Sequence, residues 1–324
     1  MEGGSPTLRR RRLGHALRRL RDKAGLTGDE AGARLERSGS WISRVEAGRV
    51  GLRTRDLTDL LDLYQLDDPQ RREELGALAR EGKQRGWWSR YSDAIHESLA
   101  IFIGLEAEAH SMLIYEQTVV PGLLQTEEYS RAIFRQSVHS IRPEVLEARV
   151  HVRMTRQNRI KEPDPLQLRV VLDEAVLHRA VGGRSTLRDQ LIRLADTAAS
   201  PWLELLIVPF DRSYQVATGS FIVMEFPQDP DIVYLETPMG GVYEEGRQET
   251  DLYRTIFEVL AAAALDRVAS VAFLEDVIKS SRDQPPGGGR ASPTRRTVAD
   301  QHPDLGERRL RRGPPAECSR RDPR

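Results

Sequence analysis

The chain has 324 residues, 39% of them hydrophobic, enough for about two domains and a sizeable buried core. Its single cysteine, Cys318, excludes an internal disulfide and a cysteine-rich zinc site. No stretch reaches the roughly 20 apolar residues that cross a bilayer, and arginines follow residues 1–6 where a signal peptide would place its apolar core. A cytoplasmic protein with no membrane partner is therefore expected.

The formal net charge of zero hides an uneven distribution. Residues 1–66 carry 14 Lys and Arg against 9 Asp and Glu, and residues 282–324 carry 11 against 6, so the stretch between them has 24 against 34. A basic N-terminal block suits a polyanion. The acidic middle would be repelled by one and is better suited to a protein or a small molecule.

In chain order, Leu13, Ala16, Leu17, Leu20 and Ala24 recur at helical spacing until Gly25 closes a first helix. Thr27 can cap a second helix through Leu35, Ser38 a third through Glu46, and Thr54 a fourth whose Leu57, Leu60, Leu61 and Tyr64 form one stripe. Asp68-Pro69 opens a fifth, with Leu75, Leu78 and Ala79 inward, ending before Gly86. Residues 1–85 therefore read as an α-helical domain.

With Ser38 as N-cap, Ile42 and Val45 point into this bundle, leaving Gly39, Ser40, Trp41 and Arg44 on the outer face near the helix start. A DNA-recognition helix presents base-reading groups from such positions, and arginine is a bidentate partner for guanine. Arg49, Arg53 and Arg55 in the following loop, with some of Arg9, Arg10, Arg11 and Arg12, would then lie against the phosphate backbone. The spacing alone fits an ordinary surface helix equally well.

The segment "LRRLRDKAGLTGDEAGARLERSGSWISRVEAGR" places "GLT", an "ISRVE" core and a following glycine at offsets that resemble the helix-turn-helix of XRE-type, phage-repressor-like transcription regulators. The likeness spans residues 8–66. It implies that Ser40, Trp41 and Arg44 read bases, that Ser43 and Arg49 contact the backbone, and that Arg21 and Glu46 pair between the first and third helices. Three positions depart from the family pattern. Gly28 stands where a phosphate-binding side chain is usual, Gly32 where alanine is usual, and Glu36 where the turn commonly has glycine at positive φ. These departures predict a more salt-sensitive or dimer-dependent DNA binder.

Beyond residue 86 the texture becomes mixed. Helices are expected around 99–109, 126–135, 142–160, 186–198, 249–264 and 266–279, and strands at 112–117, in "LQLRVVLDEAVL", in "LELLIVPF", and in "SFIVMEF" and "DIVYLET", which a Pro-Asp turn joins. This order predicts an α+β domain with a small sheet over residues 86–280. "YEQTVVPGLLQTEEYSRAI", "VLDEAVLHRAVGG" and "VYLET" in this order resemble the C-terminal domain of actinobacterial WhiJ-like, toxin–antitoxin-like regulators. That resemblance implies an antitoxin-like regulator whose C-terminal domain binds a small partner protein or a signal.

No catalytic, cofactor or metal constellation assembles. Glu106, Glu108 and His110 lie two apart on a helix and cannot all face one metal. Glu174 and His178 share a face at a strand end, where a helix-start carboxylate and a partly buried histidine account for them. "VGGRST" lacks the lysine of a phosphate loop and reads as a turn with a Ser185 cap. Trp87, Trp88 and Tyr91 read as interdomain packing ahead of an aromatic ligand wall. Residues 281–324, rich in Pro, Gly and Arg, are expected to be a disordered tail. The combined expectation is a non-enzymatic regulator bound as a homodimer to a double-stranded DNA operator. Its alternative is an interaction adaptor or antitoxin whose helix-turn-helix no longer reads DNA.

Overall fold

A computed structural model describes residues 6–84, 86–136, 141–212, 218–238 and 240–283. The expected tail and Cys318 lie outside the described residues, apart from the tail's first three positions, which continue the last helix.

Five helices form the N-terminal domain: α1 (Pro6–Lys23), α2 (Gly28–Arg34), α3 (Gly39–Glu46), α4 (Thr54–Leu63) and α5 (Pro69–Glu81). Their starts follow local hydrogen bonding. Thr27 and Glu30 form a reciprocal capping box, Ser38 Oγ accepts from Trp41 N at 3.2 Å, and Asp68 accepts from Gln70 N and Arg71 N ahead of Pro69. The fourth start differs from expectation. Thr54 lies inside α4, and Arg53 takes the cap position without a side-chain bond, because its guanidinium has no acceptor to offer an amide. Leu13, Leu17, Ile42, Val45, Leu57, Leu60 and Leu75 meet in one apolar core.

Two close approaches set the helix-turn-helix. A Cβ at Gly14 would overlap the carbonyl of Glu46, so glycine lets α1 and α3 touch backbone to backbone. A Cβ at Gly32 would lie 2.9 Å from both Arg37 O and Ser38 C, so the turn closes directly over α2. Within that turn Glu36 adopts φ 54°, the conformation its departure from glycine implied.

A 3-10 turn (Trp87–Tyr91) leads into the second part, an α+β domain. Its elements are α6 (Glu97–Glu106), β1 (Ser111–Glu116), α7 (Glu127–Arg135), α8 (Pro143–Arg156), β2 (Gln167–Asp173), α9 (Ala175–His178), α10 (Arg184–Ala198) and β3 (Leu203–Val208). They continue with β4 (Phe221–Glu225), β5 (Ile232–Thr237), β6 (Gly240–Glu244), α11 (Arg247–Ala263) and α12 (Arg267–Asp283). The six strands form one sheet in the order β3-β2-β1-β4-β5-β6. β1, β2 and β3 run parallel, joined through helices, whereas β4, β5 and β6 form an antiparallel meander.

Alternating side chains divide the core between the two faces of the sheet. Met112, Ile114, Leu168, Val170 and Leu205 pack with residues of α6, α10 and α12, while Leu113, Tyr115, Val171 and Val223 pack with Phe257 and Leu260 of α11. Leu8 of α1 joins the first of these clusters and so belongs to the core of the α+β domain.

Candidate nucleic-acid interface

The N-terminal half of α3 carries the candidate site. Ser38 starts the helix, and Ile42 and Val45, 1% and 3% exposed, anchor it inward. The same periodicity turns Ser40, Ser43 and Arg44 to solvent, with Arg49 and Arg53 exposed in the segment that follows. Trp41 is half-buried, and the Arg37 guanidinium lies over its ring at 5.3 Å while pairing with Asp56 at 3.0 Å. The six sequence-predicted residues Ser40, Trp41, Ser43, Arg44, Arg49 and Arg53 thus all fall on α3 or the loop to α4.

The position of α3 is fixed from the inside. Arg21 of α1 donates Nε–H to Glu46 Oε1 at 2.6 Å and a second N–H to Oε2 at 3.0 Å, both side chains being largely buried. Glu46 correspondingly raises the Arg21 pKa. This is the ion pair the resemblance implied. A bidentate pair of this kind fixes the register of two helices more than it adds stability.

The start of α2 is self-satisfied. Glu30 Oε2 accepts from both Thr27 N and Thr27 Oγ1, at 2.7 and 2.8 Å, which depresses the Glu30 carboxyl. With glycine at position 28 and a carboxylate at the first turn, this end of α2 supplies no phosphate-binding side chain.

Of the arginines expected on the DNA backbone, Arg9, Arg11 and Arg12 point elsewhere. Arg9 pairs with Glu81 at 2.9 Å. Arg11 is buried against Glu245 and lies 5.6 Å over the Tyr243 ring, and Arg12 holds Asp229 through two N–H donors at 2.7 and 2.6 Å. His15 Nε2 adds a contact to Glu245 at 2.7 Å, and burial with nearby Arg11 and Arg19 keeps its pKa below the usual histidine value. Asp229 and Glu245 sit at the ends of the β4–β5 and β6 segments, more than 200 positions away in sequence. α1 therefore joins α3 on one side to the sheet on the other.

The groups weighed as catalytic are engaged structurally. Glu106, 3% exposed, accepts two N–H bonds from Arg156 at 2.8 and 2.7 Å. Glu174 bonds His178 at 3.0 Å and accepts from Phe210 N, and His178 stacks on Phe210 in an exposed position, not the partly buried one expected. Ser185 does not cap α10. Gly183, at φ 97°, occupies that place, so the chain enters the helix by backbone geometry alone. Trp88 packs with Ile95, Ile103 and Val152 of the α+β domain and also borders a cleft shared with Leu52 and Gly82 of the helical domain. Among the described residues no cluster could hold a metal ion, and no helix is long and apolar enough to cross a membrane.

No curated protein and no solved structure matches the chain. Residues 12–75 match a family described as a helix-turn-helix domain, which runs from within α1 to midway along α5 and supports a DNA-binding regulator. Residues 99–276, more than half of the chain, match a second family, and the chain therefore belongs to the family described as the domain of unknown function DUF5753.

Proposed function

We propose that the chain is a sequence-specific transcription regulator that binds a two-fold DNA operator as a homodimer. The observation that carries this reading is the exposed row of Ser40, Ser43 and Arg44 on a helix locked to α1 by Arg21 and Glu46. Ser40, Trp41 and Arg44 read base edges in the major groove, while Ser43, Arg49 and Arg53 hold phosphates. A small recognition surface without a phosphate ligand at Gly28 gains specificity from two half-sites about one helical turn apart. Residues 1–85 form the DNA-binding part, residues 86–280 the regulatory part and residues 281–324 a tail. The acidic balance between the two basic ends fits a small, more basic protein partner, in an antitoxin-like arrangement.

DNA recovered with the protein from its native cells and sequenced gives the operator. On that operator Arg44→Ala is expected to cost about 1–3 kcal/mol of binding and to relax preference at one base pair. Parent-like binding by Arg44→Ala to operator and random DNA alike would favour the adaptor reading instead.

A further inference from the structure

Arg37 lies in the turn between α2 and α3 and is not among the groups assigned above to DNA, yet it touches one of them. Its guanidinium lies over the Trp41 ring, 5.3 Å from the centroid, and donates Nη2–H to Asp56 Oδ1 of α4 at 3.0 Å. Trp41 itself packs against the apolar core of the helical domain. The turn, α3 and α4 thus meet around one indole.

A half-exposed indole at a helix start would otherwise choose among several rotamers, and complex formation would have to freeze one of them. A cation over an exposed ring holds it weakly when the guanidinium is itself free to swing. Asp56, 18% exposed and set in the first turn of α4, removes that freedom by anchoring the guanidinium. The same pairing limits what Arg37 can do toward a DNA backbone. A phosphate approaching its guanidinium meets the Asp56 carboxylate as well, so little net attraction is left. Arg55 lines the same cleft and contrasts with it, because its side chain is 93% exposed and comes no closer than 4.0 Å to Asp59.

We propose that Arg37 and Asp56 are positioning residues that hold the Trp41 indole in one orientation, and that this orientation sets the base preference of Trp41. The exposed part of an indole suits the C5-methyl group of thymine, which apolar side chains read in the major groove. The effect on base preference rests on the DNA-binding reading above, whereas the hold of Arg37 on the ring does not.

Two measurements on the full chain test this. Selection from a random DNA library gives the base preferences of parent and variants. Trp41→Ala is expected to lose preference at one base pair, and Arg37→Ala and Asp56→Asn to lower it at that same pair by roughly three- to tenfold. In the Trp41→Ala background Arg37→Ala should add nothing, and Arg37→Lys, which keeps the charge without the planar stack, should restore nothing. The slope of log Kd against log salt should stay at the parent value for Arg37→Ala and fall by about 1 for Arg55→Ala. A loss that is uniform across sequences, lowers the slope of Arg37→Ala by about 1 and is rescued by Arg37→Lys makes Arg37 a phosphate contact and overturns the proposal. In the second measurement, nuclear magnetic resonance of the chain with isotope-labelled tryptophan, Arg37→Ala and Asp56→Asn should each displace the Trp41 indole N–H resonance, identified by its loss in Trp41→Phe. An unmoved resonance overturns the hold on the ring. A parent that selects no sequence refutes the regulator reading, whereas a selective parent whose Arg37→Ala variant keeps every preference refutes the positioning role alone.

Discussion

At Gly32 a methyl group has nowhere to go, since the atom it would add lies 2.9 Å from the backbone of Arg37 and Ser38. Helix propensity alone favours alanine there by about 1 kcal/mol. Overpacking against backbone costs more, typically about 1–3 kcal/mol, because neither the turn nor α2 can shift without disturbing the core under Ile42. Gly32→Ala is therefore expected to lower stability by about 1–2 kcal/mol in urea unfolding, and a stabilised variant would show that the turn relaxes freely. Glycine at this position was legible in the sequence only as a departure from an alanine pattern. The cause lies in neighbours five and six positions away, which no propensity of residue 32 records. Glu36 contrasts with it, because a tight four-residue turn between two helices announces its own positive φ.

Elements whose ends are decided by their own side chains were the most legible. Ser38, Thr27 and Asp68 cap α3, α2 and α5 as their positions in the sequence imply. The strand β6 was missed because "GGVYE" pairs two glycines with only two strand-forming residues, and its pairing to β5 supplies what its own composition lacks. The parallel order of β1, β2 and β3 was equally hidden, since register between distant strands leaves no local mark. At the end of β1 burial pushes the Glu116 carboxyl up to about 7, with Glu236 raising it further and Ser220 and Arg153 acting against. Between an unfolded value near 4.5 and this folded value, the folded chain holds a proton that the unfolded chain releases, so stability falls as pH rises through that window. Glu116→Gln should match the parent at pH ~5 and exceed it by on the order of 1–3 kcal/mol at pH ~8. Denaturation curves displaced equally at both pH values would remove Glu116 from this role.

At the scale of the whole molecule, α1 belongs to both parts at once. Its Leu13 and Leu17 fill the helical core, whereas Leu8, 6% exposed, fills the core beneath the sheet. Leu8→Ala is expected to cost about 2–4 kcal/mol. Through the continuous helix it should lower the melting of the DNA-binding part and of the α+β domain together. Calorimetry of the full chain is expected to show one transition that moves as a unit, and two peaks of which only one responds to Leu8→Ala would contradict this. Nothing in the basic run at residues 9–12 distinguished arginines destined for DNA from those destined for Asp229 and Glu245, because the carboxylates that decide the matter come from the far end of the chain.

The hold of Arg11, Arg12 and His15 on Glu245 and Asp229 has a thermodynamic corollary. Under the proposed function, a partner that shifted these carboxylates and so changed operator affinity by some factor would have its own affinity changed by the operator by the same factor. Copies of the chain on DNA and copies free in solution would then differ in their affinity for that partner, and the partner would sense occupied DNA as surely as the DNA would sense the partner.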